Sequence, residues 1–191
     1  SEQGHIITGR PFVYERMADL YWYDEIFERG ALDGADLTDV RFLVNHDISR
    51  IPLARARRDA ANSTMQLLTD YDGMGIRVSL DTENNAEAKS LYSAVRRGDI
   101  TGMSFMFSIS DEEWDGLDTD HPTRRIKAIS SVAEVSAVTF PAYRSTEINA
   151  RDAAADDIRA AVEKARRSRQ TVESGDLELL KEKAKILGGI L

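Results

Sequence analysis

Apolar residues fall into short runs and two-residue alternations along most of this chain, with one clear change to helical spacing. From Ile6 to Tyr14 the pattern predicts a strand. Tyr21-Trp22-Tyr23 followed by Glu25-Ile26-Phe27 reads as a packed connector or short helix ending at Gly30. Val40 to Val44 is a short apolar run of the kind that forms a buried strand, and it delivers Asn45-His46-Asp47 at its end. Met65 and Leu67 on one side, and Met74, Ile76, Val78 and Leu80 on the other, flank Asp72-Gly73, a strong hairpin signal. The alternation in the second arm means that one face of it is buried.

Between Asn84 and Arg97 the period becomes helical, with Ala88, Leu91, Tyr92 and Val95 on one face and Asn84 or Asn85 as N-cap. Gly98 is placed to end this helix, and Arg96 and Arg97 suit its C-terminal dipole. Alternation returns from Ile100 to Ile109. Met103, Phe105, Phe107 and Ile109 share one face, and Gly102, Ser104, Met106 and Ser108 the other, so Ser104 lies away from the phenylalanine layer. Gly102, lacking a side chain beside Ser104, leaves room for a substrate backbone. Asp111 to Asp120 reads as a solvated acidic loop around Trp114, and Arg125 to Tyr143 as a further strand closed by Pro141.

Beyond Thr146 the sequence becomes rich in Ala, Arg and Asp. Two amphipathic stretches follow, Asp152 to Arg169 and Leu177 to Leu187, with Ser174-Gly175 as a breaker between them. The chain therefore divides into a body, residues 1–150, and a helical C-terminal tail, residues 151–191. It opens on Ser1 and closes on Gly188-Gly189-Ile190-Leu191 with no helix stop, which reads as a sequence trimmed at both ends.

Composition narrows the function. Of 191 residues, 42% are hydrophobic and 30% charged, ordinary for a globular chain with one core. The net charge is −8. By count, residues 1–150 carry 16 Lys+Arg against 25 Asp+Glu, and residues 151–191 carry 9 against 8, so the acidic excess belongs to the body. A nucleic-acid binder needs the opposite balance. With no cysteine, disulfides, thiol catalysis and thiolate metal sites are excluded, and a reducing compartment fits. Three histidines make a multi-histidine metal site a poor reading. No stretch approaches the roughly 20 apolar residues of a membrane span. A soluble, intracellular protein without cofactor or metal is expected.

His46, Ser104 and Glu134 stand out because each lies in or beside an apolar, strand-like run, where a polar side chain is costly without a partner. A base, a nucleophile and an orienting acid would satisfy one another. A serine hydroxyl needs a neighbouring base during attack, and an imidazole takes and returns protons near neutral pH. Blander readings exist for each: a strand-end histidine bonded to backbone, a half-exposed strand serine, and a carboxylate paired with Arg124 or Arg125. Asp47, next to His46, competes with Glu134 for the acid role. Ser136 and Ser108 are alternative serines, Ser136 sharing the face of Glu134. Oxyanion donors are not legible; backbone N–H groups near Phe105, or Arg125 or Arg144, are candidates. A Gly-x-Ser-x-Gly elbow is absent, since Met106 stands two residues after Ser104, which argues against a generic esterase.

Taken in order and spacing, Asn45-His46-Asp47, Gly102-Met103-Ser104-Phe105-Met106-Phe107 and Glu134-Val135-Ser136-Ala137-Val138-Thr139-Phe140-Pro141-Ala142-Tyr143 resemble the prohead maturation serine proteases of tailed phages. The likeness runs from about Gly9 to Thr146 and includes Arg96-Arg97-Gly98-Asp99-Ile100. That family is structurally similar to herpesvirus assemblin. The resemblance implies an α+β fold, a mostly antiparallel barrel-like sheet flanked by helices, followed here by the helical tail. It implies a serine endopeptidase with His46, Ser104 and Glu134 as catalytic residues, and His121 as a further competitor for the third position. It further implies cleavage of scaffold or major capsid protein segments, and of the enzyme itself, inside the immature capsid in the host cytoplasm. Homo-oligomers, dimers or larger, are expected from the assemblin likeness. The alternative reading is an inactive capsid-assembly protein on the same fold.

Overall fold

The computed structural model describes residues 5–58 and 61–141. Nine strands and one helix follow in order: β1 (His5–Val13), β2 (Ala18–Asp19), β3 (Asp24–Phe27), β4 (Asp39–Val44), β5 (Ala54–Arg57), β6 (Met65–Asp70), β7 (Gly73–Leu80), α1 (Ala86–Arg97), β8 (Gly102–Asp115) and β9 (Thr123–Val138). They form a three-stranded sheet, β1-β7-β6, and a six-stranded sheet, β2-β3-β9-β4-β5, with β8 also paired to β9. Residues of both sheets and α1 contribute to one shared core, with Phe12, Phe42, Met74, Val78, Leu80, Ile126 and Val135 inaccessible to solvent or nearly so.

Local sequence accounts for most of this. Met74, Ile76, Val78 and Leu80 all face the core from β7, as the alternation requires. Helix α1 begins at Asn85, whose side chain accepts hydrogen bonds from the Glu87 and Ala88 N–H groups at 2.9 and 3.1 Å. It ends at Gly98, which adopts φ 79°, the left-handed conformation that glycine takes without steric penalty. Ala88 and Leu91 are its buried contacts.

Strand β9 organises the larger sheet. Its first residues pair in parallel with β3, Asp24 opposite Thr123 through Phe27 opposite Ile126, and its last pair in parallel with β4, Arg41 opposite Glu134 through Val44 opposite Ala137. On its other edge β8 runs antiparallel along nearly all of its length.

Several expectations change. The sheets are not closed, so the architecture is mostly β with one helix, without the barrel. At the seam where β1 abuts β8, the two strands form no ladder, and the Met103 thioether occupies the place that a Cβ on Gly9 would take. The β1 register also shifts between Gly9 and Phe12, around Pro11, which has no N–H to donate. Only residues 116–120 of the acidic stretch form a loop; its first part, Asp111 to Asp115, is the outer end of β8. Its carboxylates pair across the strand, Arg125 with Asp115 at 2.5 Å and Lys127 with Glu113, so opposite charges extend the ladder that a loop reading breaks. Tyr21 to Phe27 forms the turn and second arm of the β2–β3 hairpin and the helix reading there fails, because Ile26 and Phe27 are buried in a strand that docks on β9. The tail, 151–191, lies outside the described residues. Among those described, no helix is long and apolar enough to cross a membrane.

In the smaller sheet Asp70 accepts from Arg10 on β1 and from the N–H groups of Asp72 and Gly73 in the β6–β7 turn. The guanidinium of Arg10 holds the Asp70 carboxyl down from 3.8 to about 2. A carboxylate whose folded pKa is depressed contributes stability above its unfolded pKa and loses it as pH falls through the folded value. The stability difference between the native chain and Asp70→Asn should therefore be constant above about pH 5 and shrink between about pH 4 and pH 2. Urea melts across that range measure it, and a difference independent of pH would show that the ion pair is not the source.

Candidate active site

The site is built on the face of the larger sheet opposite the core. Along β9 Val135 and Ala137 enter the core, while Glu134 and Ser136 lie on the other face. Ala133 is an extra residue there: Met106 of β8 is opposite Glu134 and Phe107 is opposite Val132, which leaves Ala133 unpaired. This bulge lets Val132 and Val135 both reach the core and sets Glu134 on the outer face with Ser136. Ser104 is directly opposite Ser136 across the β8–β9 ladder, so the two side chains share that face with Cβ atoms about 4.5–5.5 Å apart.

His46 arrives from the other neighbour of β9. After β4 the chain makes a tight turn, with the Asp47 N–H donating to the Val44 carbonyl at 3.1 Å and both central residues, Asn45 (φ 52°) and His46 (φ 58°), in the left-handed region. Two consecutive left-handed residues define the I′ turn family, and Asn and His are among the non-glycine residues that enter that region most often. Contacts to β9 hold the turn: the Asn45 N–H donates to the Ala137 carbonyl at 2.9 Å, and the Asn45 side-chain oxygen accepts from the Thr139 N–H at 2.9 Å.

A ring of hydrogen bonds results. His46 Nδ1 lies 2.5 Å from Glu134 Oε1; the Ser136 hydroxyl donates to Glu134 Oε2 at 2.5 Å and accepts from the His46 backbone N–H at 3.1 Å. Glu134 is 2% exposed and Ser136 fully buried. Both carboxylate oxygens are engaged, so the Glu134 charge is buried with partners. With Nδ1 facing the carboxylate, Nε2 is the imidazole nitrogen left for proton exchange, and it makes no hydrogen bond among the described residues.

The structure thus brings His46 and Glu134 into contact and puts Ser104, 7% exposed, one strand from the ring; no hydrogen bond joins Ser104 to the imidazole. The competing residues are engaged elsewhere. Asp47 turns to the Ser49 hydroxyl at 2.5 Å and to Arg50, and the Ser49 hydrogen bonds hold its carboxyl below the usual range. His121 lies at the far end of β9 from Glu134, 3.2 Å from Asp24. With Asp19 these two form, among the described residues, the one group of three potential metal ligands, all within 4.8 Å of one another and none of them buried. Arg124 and Arg125 pair with Glu112 and Asp115 and not with Glu134. Arg125 is therefore remote from any oxyanion, and Arg144 lies outside the described residues. Ser108 is exposed, farther along β8. The space beside Gly102 is taken by the chain itself, because a Cβ there would collide with the Pro141 ring.

Sequence reasoning weighed Ser136 only as an alternative serine and missed its place in the ring. Its shared face with Glu134 was legible from period two, but its bond to the His46 backbone requires the left-handed turn, and nothing in Val44 to Asp47 except Asn45 signals that turn.

The family model described as caudovirus prohead serine protease matches residues 1–160. No curated protein and no solved structure matches the chain.

Replacing Ser136 by Ala removes one donor and one acceptor from a site without solvent, leaving the His46 N–H and Glu134 Oε2 unpaired. A loss of about 1–3 kcal/mol in folding stability is expected, read as a lower urea midpoint with an unchanged slope. A midpoint equal to that of the native chain would mean that the ring does not constrain the fold.

Proposed function

The chain belongs to the caudovirus prohead serine proteases, and from that membership together with the buried Glu134–His46–Ser136 ring we propose that Ser104 is the nucleophile, His46 the general base and Glu134 the acid that orients it. Membership makes the protein a serine protease of phage capsid maturation. The observation that carries the residue roles is the 2.5 Å contact between His46 Nδ1 and Glu134, with Ser104 opposite Ser136 on the adjoining strand.

In the proposed reaction the Ser104 oxygen attacks the scissile carbonyl carbon as its proton passes to His46 Nε2. Glu134 keeps the proton of the imidazole on Nδ1 and stabilises the imidazolium. Collapse of the tetrahedral intermediate breaks the C–N bond, and His46 returns the proton to the leaving amine. Water, deprotonated by the same nitrogen, then attacks the acyl-enzyme ester and restores the Ser104 hydroxyl. Ser136 is unsuited to be the nucleophile, since it is fully buried and its proton is committed to Glu134 on the Nδ1 side of the ring. The distance between Ser104 and the imidazole closes by a rotamer change or on substrate binding, as is common for catalytic hydrogen bonds before substrate arrives.

The substrates proposed are capsid or scaffold segments inside the immature particle in the host cell, with self-cleavage removing part of residues 151–191. A dimer or larger assembly belongs to the same proposal. The alternative, an inactive assembly protein, is disfavoured by the engagement of both Glu134 oxygens around a histidine with a free Nε2.

Ser104→Ala should stay folded and lose processing of the capsid subunit by more than about 10³-fold. A fluorophosphonate probe should label the native chain at Ser104 and nowhere else. Wild-type processing by Ser104→Ala, or labelling at Ser136 or Ser108, would remove the assignment.

A further inference from the structure

Beside the ring, on the same face of the sheet, lies a cavity of about 330 Å³, at the small end of ligand pockets and large enough for one extended side chain. Glu134 and the bulged Ala133 form part of its wall, so it is continuous with the proposed active site. Its apolar lining comes from Leu43, Ile48, Pro52 and Met106, with Leu43 3% exposed and therefore deep, and Ile48 75% exposed at the mouth. Two cations complete it, Arg41 and Arg50.

The arginines are only loosely held. Asp39 gives both carboxylate oxygens to Arg55, at 2.5 and 2.6 Å, and accepts from Arg41 at 3.1 Å on one of them and at a long 3.4 Å on its backbone carbonyl. Asp47, the partner of Arg50, accepts from the Ser49 hydroxyl at 2.5 Å and lies 3.5 Å from Arg50. Three guanidiniums, Arg41, Arg50 and Arg55, thus share two carboxylates, Asp39 and Asp47. The third carboxylate nearby, Glu134, has both oxygens committed to His46 and Ser136. Arg41 and Arg50 therefore keep guanidinium N–H groups that make no hydrogen bond among the described residues and can serve a further acceptor.

On the premise that the serine-protease reading of this site holds, we infer that the cavity is a specificity pocket for a glutamate side chain within two residues of the scissile bond. Aliphatic walls suit the two methylenes of Glu, and a guanidinium at the wall suits its carboxylate. A purely aliphatic side chain would cover the remaining N–H groups of Arg41 without giving them an acceptor, and Lys or Arg would meet two like charges. The placement follows from strand geometry. Met106 is two residues from Ser104 on the same face, a separation of about 7 Å, which is also the spacing of same-side residues in an extended peptide.

The test uses the full chain on a proteome-derived peptide library, with the new termini read by mass spectrometry. Glutamate should be enriched within two residues of the cuts. For one cleaved peptide, exchanging that Glu for Gln should lower kcat/KM about 10- to 100-fold, the effect of losing one charge-assisted hydrogen bond. In Arg41→Gln, with Arg50→Gln in the same chain, the Glu-to-Gln ratio should fall towards one, and Arg41→Lys should restore part of it. The inference is overturned by cleavage without acidic enrichment, or by a ratio that the arginine substitutions leave unchanged. Failure of the fluorophosphonate probe to label the native chain would instead remove the serine-protease assignment, and this pocket's role with it.

Discussion

A carboxylate at 2% exposure dictates the surroundings it needs. Burying a charge is tolerable only when every lone-pair direction that loses water gains a donor, and removing one partner leaves a penalty of several kcal/mol in effective terms. Glu134 meets this with an imidazole on one oxygen and a hydroxyl on the other. The hydroxyl passes the constraint on by fixing the His46 backbone. The conformation of the turn after β4, the rotamer of Ser136 and the tautomer of His46 are then coupled. Function and stability draw on the same few bonds.

That coupling depends on strand order. Were β8 and β4 neighbours of each other, Ser104 and His46 would meet without Glu134; with β9 between them, the acid and its supporting serine come from the central strand and the other two groups from its flanks. Parallel pairing on one edge and antiparallel pairing on the other fix both registers independently. The bulge at Ala133 reconciles two demands on β9, apolar side chains for the core and a carboxylate for the outer face, that strict alternation would set in conflict.

Much of this was legible in the sequence, for physical reasons that differ by element. The β6–β7 hairpin and α1 are encoded locally, by Asp72-Gly73 with its alternating arm and by Asn85 and Gly98 around a single apolar face. The face assignment of Ser104 followed from period two alone. The openness of the sheets was not legible, since it depends on how β1 and β8 meet, as where Met103 lies over Gly9, 94 positions away. The outer half of β8 was hidden because its acidic residues read as solvated until Arg124, Arg125 and Lys127 are seen across the ladder. The left-handed backbone at His46 was hidden too, since it is held by bonds to Ala137, Ser136 and Thr139 about 90 positions away. Pro141 over Gly102 reversed an inference drawn from an empty position.

The contact between His46 and Glu134 joins residues 88 positions apart, through a parallel ladder that no hairpin can nucleate. Pairings of such high contact order pay their loop-closure entropy late in folding. A chain still emerging from the ribosome, or half collapsed, holds a serine and a histidine with no acid between them. Under the proposed roles, slow topology would itself be a timer: the acid joins the base only once β9 has docked.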